Sequence, residues 1–221
     1  MSFFERYVNS KFYMYTDIFF KILLLNFYMI LTIIIGFFIF GLPLAISSGA
    51  ITLSMVLKKT STEVTNTYFT LLKKTYTKVI IKGLIYQLIL MVLGFNAVFF
   101  YTGLEPFSYY YFIGFLISIW LLAFTMIAFY HGMILSLIYR VHWFSILKHS
   151  YILTFGFGLR SMFMMMIGLV YVLIVIWIPI ISLLLGLSGT LLLATWILDK
   201  PYQTIDNLKT DLSECIETYL Q

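Results

Sequence analysis

A single cysteine, Cys215, stands in 221 residues, so neither an intrachain disulfide nor a thiolate metal cluster can form. It sits beside Glu214 and Glu217 in a polar tail, surroundings that do not activate a thiolate, and it reads as a plain free thiol. Charge is almost as scarce: Asp, Glu, Lys and Arg make up 10% of the chain, against ~25% in soluble domains. That scarcity excludes a soluble globular enzyme, a disordered tail and a nucleic-acid-binding domain. What fills the chain instead is apolar, 62% hydrophobic residues with a mean hydropathy of +1.01. The small excess of base, 14 Lys+Arg over 9 Asp+Glu, orients loops against a membrane in a chain of this kind and does not mark a DNA surface. The first apolar run begins only after Lys21, is too long for the ~7–15-residue core of a signal peptide and is followed by no small-x-small site. The first span is therefore expected to stay in the mature protein as an anchor.

Read for charge alone, the sequence has four long uncharged stretches, 22–57, 83–104, 106–139 and 161–198. A helix crosses ~30 Å of hydrocarbon in ~20 residues. The first stretch would be ~54 Å as one helix, too long for one crossing, and Gly41-Leu42-Pro43 interrupts it. The last is broken in the same way at Pro179, and Thr102-Gly103-Leu104-Glu105-Pro106 separates the middle two. The expectation is an all-α, polytopic transmembrane bundle of six membrane helices in three hairpins, at about 22–40, 44–59, 83–102, 108–130, 161–179 and 182–198, with hairpin breaks at Gly41, Pro43 and Pro179. The second helix is short, ~21 Å without charge, so it either re-enters or relies on Lys58 and Lys59 reaching back to the headgroups. Residues 1–198 form one membrane-embedded domain with a cytoplasmic N-terminal segment, and 199–221 a cytoplasmic amphipathic tail.

Six crossings put 1–21, 58–82, 140–160 and 199–221 on one side, and those segments hold all 14 basic residues. Lys and Arg translocate poorly, so both termini are expected in the cytoplasm. A five-span alternative with an external N-terminus would strand only Arg6, Lys11 and Lys21 outside. Tyr109, Tyr110, Tyr111, Phe112 and Trp177 suit an outer interfacial belt and Trp196 an inner one, while Trp120 falls mid-span and reads as packing inside the bundle.

Between the spans, Thr60-Ser61-Thr62-Glu63 has capping-box spacing, and Val64, Tyr68, Leu71 and Leu72 recur at helical intervals. They predict an amphipathic helix against the membrane, with Lys73, Lys74 and Lys78 near anionic headgroups. In the tail, Ile205, Leu208, Leu212, Ile216 and Tyr219 form an apolar stripe opposite Asp206, Asp211, Glu214 and Glu217, a short helix suited to docking on the basic face of its own bundle or on a partner.

Chemistry inside a membrane requires costly ionisable groups, and no Asp, Glu, Lys or Arg is central in the expected spans. The sequence holds no H-E-x-x-H, G-x-S-x-G or P-loop, so no catalytic, cofactor-binding or metal residues are assigned. Asn26, Thr32, Gln87, Asn96 and Thr125 are the polar residues of the spans, expected to hydrogen-bond between helices. His131, His142 and His149 fall within ~20° on one helical face, yet a continuous helix separates the first two by ~16 Å, far beyond the ~2 Å reach of zinc ligation. They read as interfacial. Small residues crowd the second and sixth helices, with Ser48 and Gly49 in one and Gly186 and Gly189 in the other. They suit close packing, or a Pro-broken helix end that offers backbone groups to a ligand, as in secondary transporters.

Two stretches carry a resemblance. FGLPLAISSGAITLSMVLKK followed by YFTLLKKTYTKVIIKGLI, and RVHWFSILKHSYILTFGFGLRSMFMM, resemble the YesL-like family of bacterial integral membrane proteins, across roughly residues 18–198. On that likeness Gly41, Pro43, Lys58, Lys59, Phe69, Lys73 and Lys78 take family positions in the first stretch, and Lys148, Gly156, Leu159 and Arg160 in the second. Phe157-Gly158 stands where the family has an Asn-Pro-like turn. The resemblance implies a bacterial plasma-membrane protein without established biochemical function, an accessory often associated with carbohydrate uptake, and it supplies no catalytic residues. The functional expectation is a non-enzymatic accessory or assembly partner of a membrane system such as a carbohydrate ABC importer. Lys58, Lys59, Lys73, Lys74, Lys78, Lys148 and Arg160 are its candidate contacts with lipid or a cytoplasmic partner. The alternative is a small secondary transporter or permease with its site at the Pro-broken helices.

Overall fold

The computed structural model describes residues 11–57, 63–105, 108–139 and 141–198. These fold into seven helices: α1 (Lys11–Ile35), α2 (Gly41–Leu57), α3 (Val64–Thr102), α4 (Tyr109–Ile138), α5 (Trp143–Gly156), α6 (Gly158–Trp177) and α7 (Pro179–Leu198). Three of them, Phe12–Ile35 within α1, then α3 and α4, are long and apolar enough to cross a membrane; a fourth span arises if the bent pair α5–α6 counts as one. The protein is therefore a multi-pass, all-helical membrane protein, but not six membrane helices in three equal hairpins.

Two features overturn the six-helix expectation. The first is α3, 39 residues and ~58 Å in one piece. The expected amphipathic segment and the expected third span are a single rod: no proline interrupts the sequence between Val64 and Thr102, and Gly83 and Gly94 stay helical within it. Its apolar stripe faces protein: Val64, Tyr68, Leu71, Thr75 and Val79 are buried, and α1 and α2 pack along this half. Glu63, in extended backbone, stands at the N-cap and makes no side-chain cap bond.

The second feature is where the first hairpin ends. The bend falls at 36–40, and Gly41 and Pro43 open α2, where the missing proline N–H costs nothing. Pro43 then lies against Gly83, which has room for no β-carbon. The α1–α2 bend is thus level with the middle of α3, not with the α3–α4 turn. Beyond Gly83, α3 continues ~28 Å beside α4 in antiparallel register, with Tyr86 on Gly132, Phe100 on Gly114 and Tyr111 on Gly103. Leu88, Met91, Phe95, Ile113, Leu116 and Ile117 are exposed along this arm, as a lipid-facing hairpin requires.

α2 is the hub. Buried over most of its length, it contacts α1, α3, α4 and α7, which is the behaviour of a helix enclosed by protein. The segment expected between spans at 140–160 is mostly α5, docked on α4 through Ile146, Ser150 and Leu153. An 86° bend at Phe157 then starts α6. Trp120 is no interior residue: it is 48% exposed and stacks on Phe124. Lys58, Lys59, the Thr60 to Thr62 part of the capping box, Cys215 and the 199–221 tail lie outside the described residues.

Candidate functional site

Polar groups collect where helices cross, in three seams. In the first, Tyr68 donates to Thr32 Oγ1 at 2.9 Å, Thr32 donates to the Tyr28 carbonyl at 2.9 Å, and the Tyr28 hydroxyl pairs with Thr65 Oγ1 at 2.8 Å. The Tyr28 and Tyr68 rings stack at 6.0 Å, and Phe69 meets both edge-on. This seam ties α1 to α3. Ser48 of α2 adds a 3.4 Å pairing with Thr75 of α3, while Ser47 and Thr52 donate back to the Pro43 and Ser48 carbonyls at 2.8 Å each. Such back-bonding lets hydroxyls sit in an apolar interior without a further partner.

The second seam fixes α5. The Tyr86 hydroxyl pairs with Ser150 Oγ, Thr125 pairs with the Tyr151 hydroxyl at 2.8 Å, and Ser161 donates to the Thr154 carbonyl at 2.8 Å across the bend. In the third, Asn26 Oδ1 accepts the backbone N–H of Leu187 at 2.9 Å and of Ser188 at 3.1 Å, joining α1 to α7. Nearby, Tyr171 donates to the Gly186 carbonyl at 2.9 Å, so Gly186 couples α6 to α7.

Of the polar residues singled out in the spans, Asn26, Thr32 and Thr125 therefore do bond between helices. Asn96 is exposed. Gln87 differs: both its side-chain Nε2 and Oε1 are buried without a hydrogen-bond partner, as is Ser188 Oγ. The histidines do not share a surface. His131 is 1% exposed inside α4 with its ring edge-on to Tyr130, His142 caps α5 by accepting from the Phe144 N–H, and His149 is exposed with its Nδ1 2.6 Å from the Ser145 carbonyl. Only the first is buried, and neither its spacing nor its neighbours in sequence signal that. Among the described residues, no three His, Cys, Asp or Glu side chains come together.

The small residues pack unequally. A β-carbon at Gly49 would come within 2.9 Å of both Met29 Sδ and Leu191 Cδ1, so side chains of α1 and α7 pack directly on the α2 backbone there; one at Gly189 would find only Leu185 Cβ, at 3.5 Å. The basic residues divide as well. Lys73, Lys74 and Lys148 are exposed, Lys78 is half-buried, and Arg160 donates from Nη1 to the Ile197 carbonyl at 3.2 Å, satisfying the last turn of α7.

Among the described residues, two grooves stand out on the surface. One, of about 650 Å³, lies between α1 and the start of α3 and holds Asp17, Lys21, Glu63 and Asn66, with Asp17 and Lys21 paired at 2.7 Å. Sequence reasoning missed it, because Glu63 and Asn66 lie far along the chain from the Asp17 and Lys21 pair. The other, about 620 Å³, is apolar, lined by Leu159, Met162, Phe163, Met166 and Trp196 beside Arg160. No protein-family model matches the chain, and no curated protein or solved structure matches it.

Proposed function

We propose that this multi-pass membrane protein is a non-enzymatic accessory that assembles with another membrane system, a carbohydrate ABC importer being the one to which its YesL-like resemblance points. The observation that carries the reading is the division of polar groups. Inside, Tyr68, Thr32, Tyr86, Ser150 and Asn26 are committed to joining helices; outside, Lys73, Lys74 and Lys148 are presented on α3 and α5. On this reading the protein lies in a bacterial plasma membrane with both termini in the cytoplasm, where its basic groups meet anionic headgroups and the partner's cytoplasmic face. Photo-crosslinking amino acids at positions 73 and 148 test it in cells. Adducts with subunits of one sugar importer from both positions are expected; adducts only with lipid, or only with a second copy of the chain, overturn the assignment.

A small permease is the second reading, favoured by the buried, unpartnered Ser188 Oγ and Gln87 amide. Gly189→Leu is its probe, because a β-carbon there meets only Leu185 Cβ at ordinary contact distance, whereas one at Gly49 crowds the Met29 and Leu191 side chains. Loss of sugar uptake with the folded protein retained supports a permease, and unchanged uptake removes it.

A further inference from the structure

One polar residue of the membrane-crossing helices is left facing outward. Asn96 of α3 is exposed, and its amide has no hydrogen-bond partner among the described residues. It lies in the uncharged half of α3, ~21 Å of helix beyond Lys82 and ~9 Å before the helix ends at Thr102, on the arm that otherwise exposes Leu88, Met91 and Phe95. An amide brought into hydrocarbon loses its water and keeps two donor protons and an acceptor oxygen to satisfy. Lipid tails supply neither, whereas a polar side chain on a neighbouring helix supplies both.

The residues around Asn96 have the spacing of a helix–helix seam. Ile85, Ile89, Val92, Asn96 and Phe99 recur at intervals of four, three, four and three, which sets them within ~80° of one another on the α3 surface. Val92 is 53% exposed and Phe99 60%, while Ile85 and Ile89 are half-buried. Tyr86 and Ala97 are buried against the bundle, and they lie ~100–120° round the helix from the middle of this row. Packing within the chain therefore leaves Val92, Asn96 and Phe99 uncovered. The spacing puts Asn96 at an a position of the heptad, where a single Asn fixes the register and the number of paired helices.

The chemistry of the amide selects a second copy of this chain as the occupant. Two copies inserted in the same orientation are related by a two-fold axis along the membrane normal, so their α3 helices run parallel and Asn96 meets its own counterpart at equal depth. A carboxamide is its own complement: Nδ2 of each donates to Oδ1 of the other, and both amides are satisfied in one contact. The same row continues past Ile85 into Lys82 and Lys78, where parallel copies would set like charges against one another. The contact is thus confined to the uncharged half of α3, and the lysine-bearing halves part.

We propose that the protein is a parallel dimer in the membrane, two copies meeting along Ile89, Val92, Asn96 and Phe99 of α3 with the paired Asn96 amides at the centre of the contact. This inference is independent of the accessory assignment, since it concerns contact between copies alone.

The full-length chain with Cys215→Ser and one added cysteine tests the face by oxidative crosslinking in native membranes. Val92→Cys and Phe99→Cys should give a disulfide-linked dimer on a non-reducing gel. Met91→Cys and Val98→Cys, equally exposed but ~120–140° round the helix from the seam, should stay monomeric. The amide is tested by energy transfer between copies that carry donor or acceptor dyes at the N-terminus, diluted in phosphatidylcholine–phosphatidylglycerol vesicles. Asn96→Leu exchanges an exposed polar side chain for one that lipid accepts, so it keeps the fold, and it should need about tenfold more protein per lipid to reach half-association. Asn96→Gln keeps donor and acceptor and should associate much as the wild type does. A wild type that is monomeric at every dilution overturns the proposal, as does crosslinking at 91 and 98 that equals or exceeds that at 92 and 99. An Asn96→Leu chain that associates like the wild type overturns it too, because the copies then meet without the amide.

Discussion

Gly132→Ala should destabilise the protein while Tyr86 is present and cease to do so once Tyr86 is removed. A methyl group at position 132 of α4 would collide with the Tyr86 ring and hydroxyl. The ring has no room to retreat: it is 1% exposed, lies 5.6 Å from the Phe129 ring and is tied through its hydroxyl to Ser150 of α5. Overpacking of this kind costs ~1–3 kcal/mol, and displacing the hydroxyl loses an interhelical bond of about 0.6–1.7 kcal/mol. Alanine's helix preference over glycine returns ~1 kcal/mol. The net expectation is a loss of about 1–3 kcal/mol. Tyr86→Ala alone should cost ~3–5 kcal/mol through the cavity it leaves. In that background the methyl enters vacated space, so Gly132→Ala becomes neutral or slightly stabilising, and the two changes couple by roughly 2 kcal/mol or more. Tyr86→Phe separates the two terms, keeping the ring and losing only ~1 kcal/mol. Reversible unfolding of the five proteins (wild type, three single variants and the double variant) in mixed detergent micelles measures all of this. If Gly132→Ala costs as much in the Tyr86→Ala background as in the wild type, the close approach of α4 to α3 at this level is not what the glycine serves.

Asn26→Leu removes the acceptor for the Leu187 and Ser188 N–H groups and should lower stability by about 1–2 kcal/mol, with hydrogen exchange at those two amides accelerating more than elsewhere in α7. Lys21→Ala breaks a partly exposed pair with Asp17 and should shift stability by less than ~0.5 kcal/mol, so a large fall in melting temperature would assign that pair a structural role it does not have by geometry. Phe38→Gly relieves a left-handed backbone at φ 62° and should raise stability in detergent by ~1 kcal/mol; an unchanged or lower unfolding midpoint would mean the aromatic side chain contributes more than the strain removes.

Much of this architecture is legible in composition. The helical class, the membrane setting, the α3–α4 turn around Gly103 and the break before Pro179 follow from apolar run length and turn chemistry, which are local sums along the chain. The stripe of Val64, Tyr68 and Leu71 is legible as a stripe, but not as a surface for α1 and α2, since periodicity names a buried face without naming what buries it. Turn chemistry puts the first bend at Gly41 and Pro43 because those residues break helices in general. The chain turns at Phe37 and Phe38 instead, and proline is accommodated in the first turn of α2 where no N–H is needed. At the candidate site, Asn26, Thr32 and Thr125 announce themselves as polar residues in apolar runs. Their partners Leu187, Tyr68 and Tyr151 do not, because each lies at the far end of a contact that only chain folding creates.

Residence in a bilayer was decided by the sequence alone, because the transfer free energy of apolar side chains accumulates residue by residue whatever the fold. How far each hairpin extends along the bundle was decided by tertiary structure. Pro43 against Gly83 halts the first pair level with the middle of α3, and Tyr86 against Gly132 lets the second continue, so two runs of similar hydropathy end at different heights because different side chains stop them.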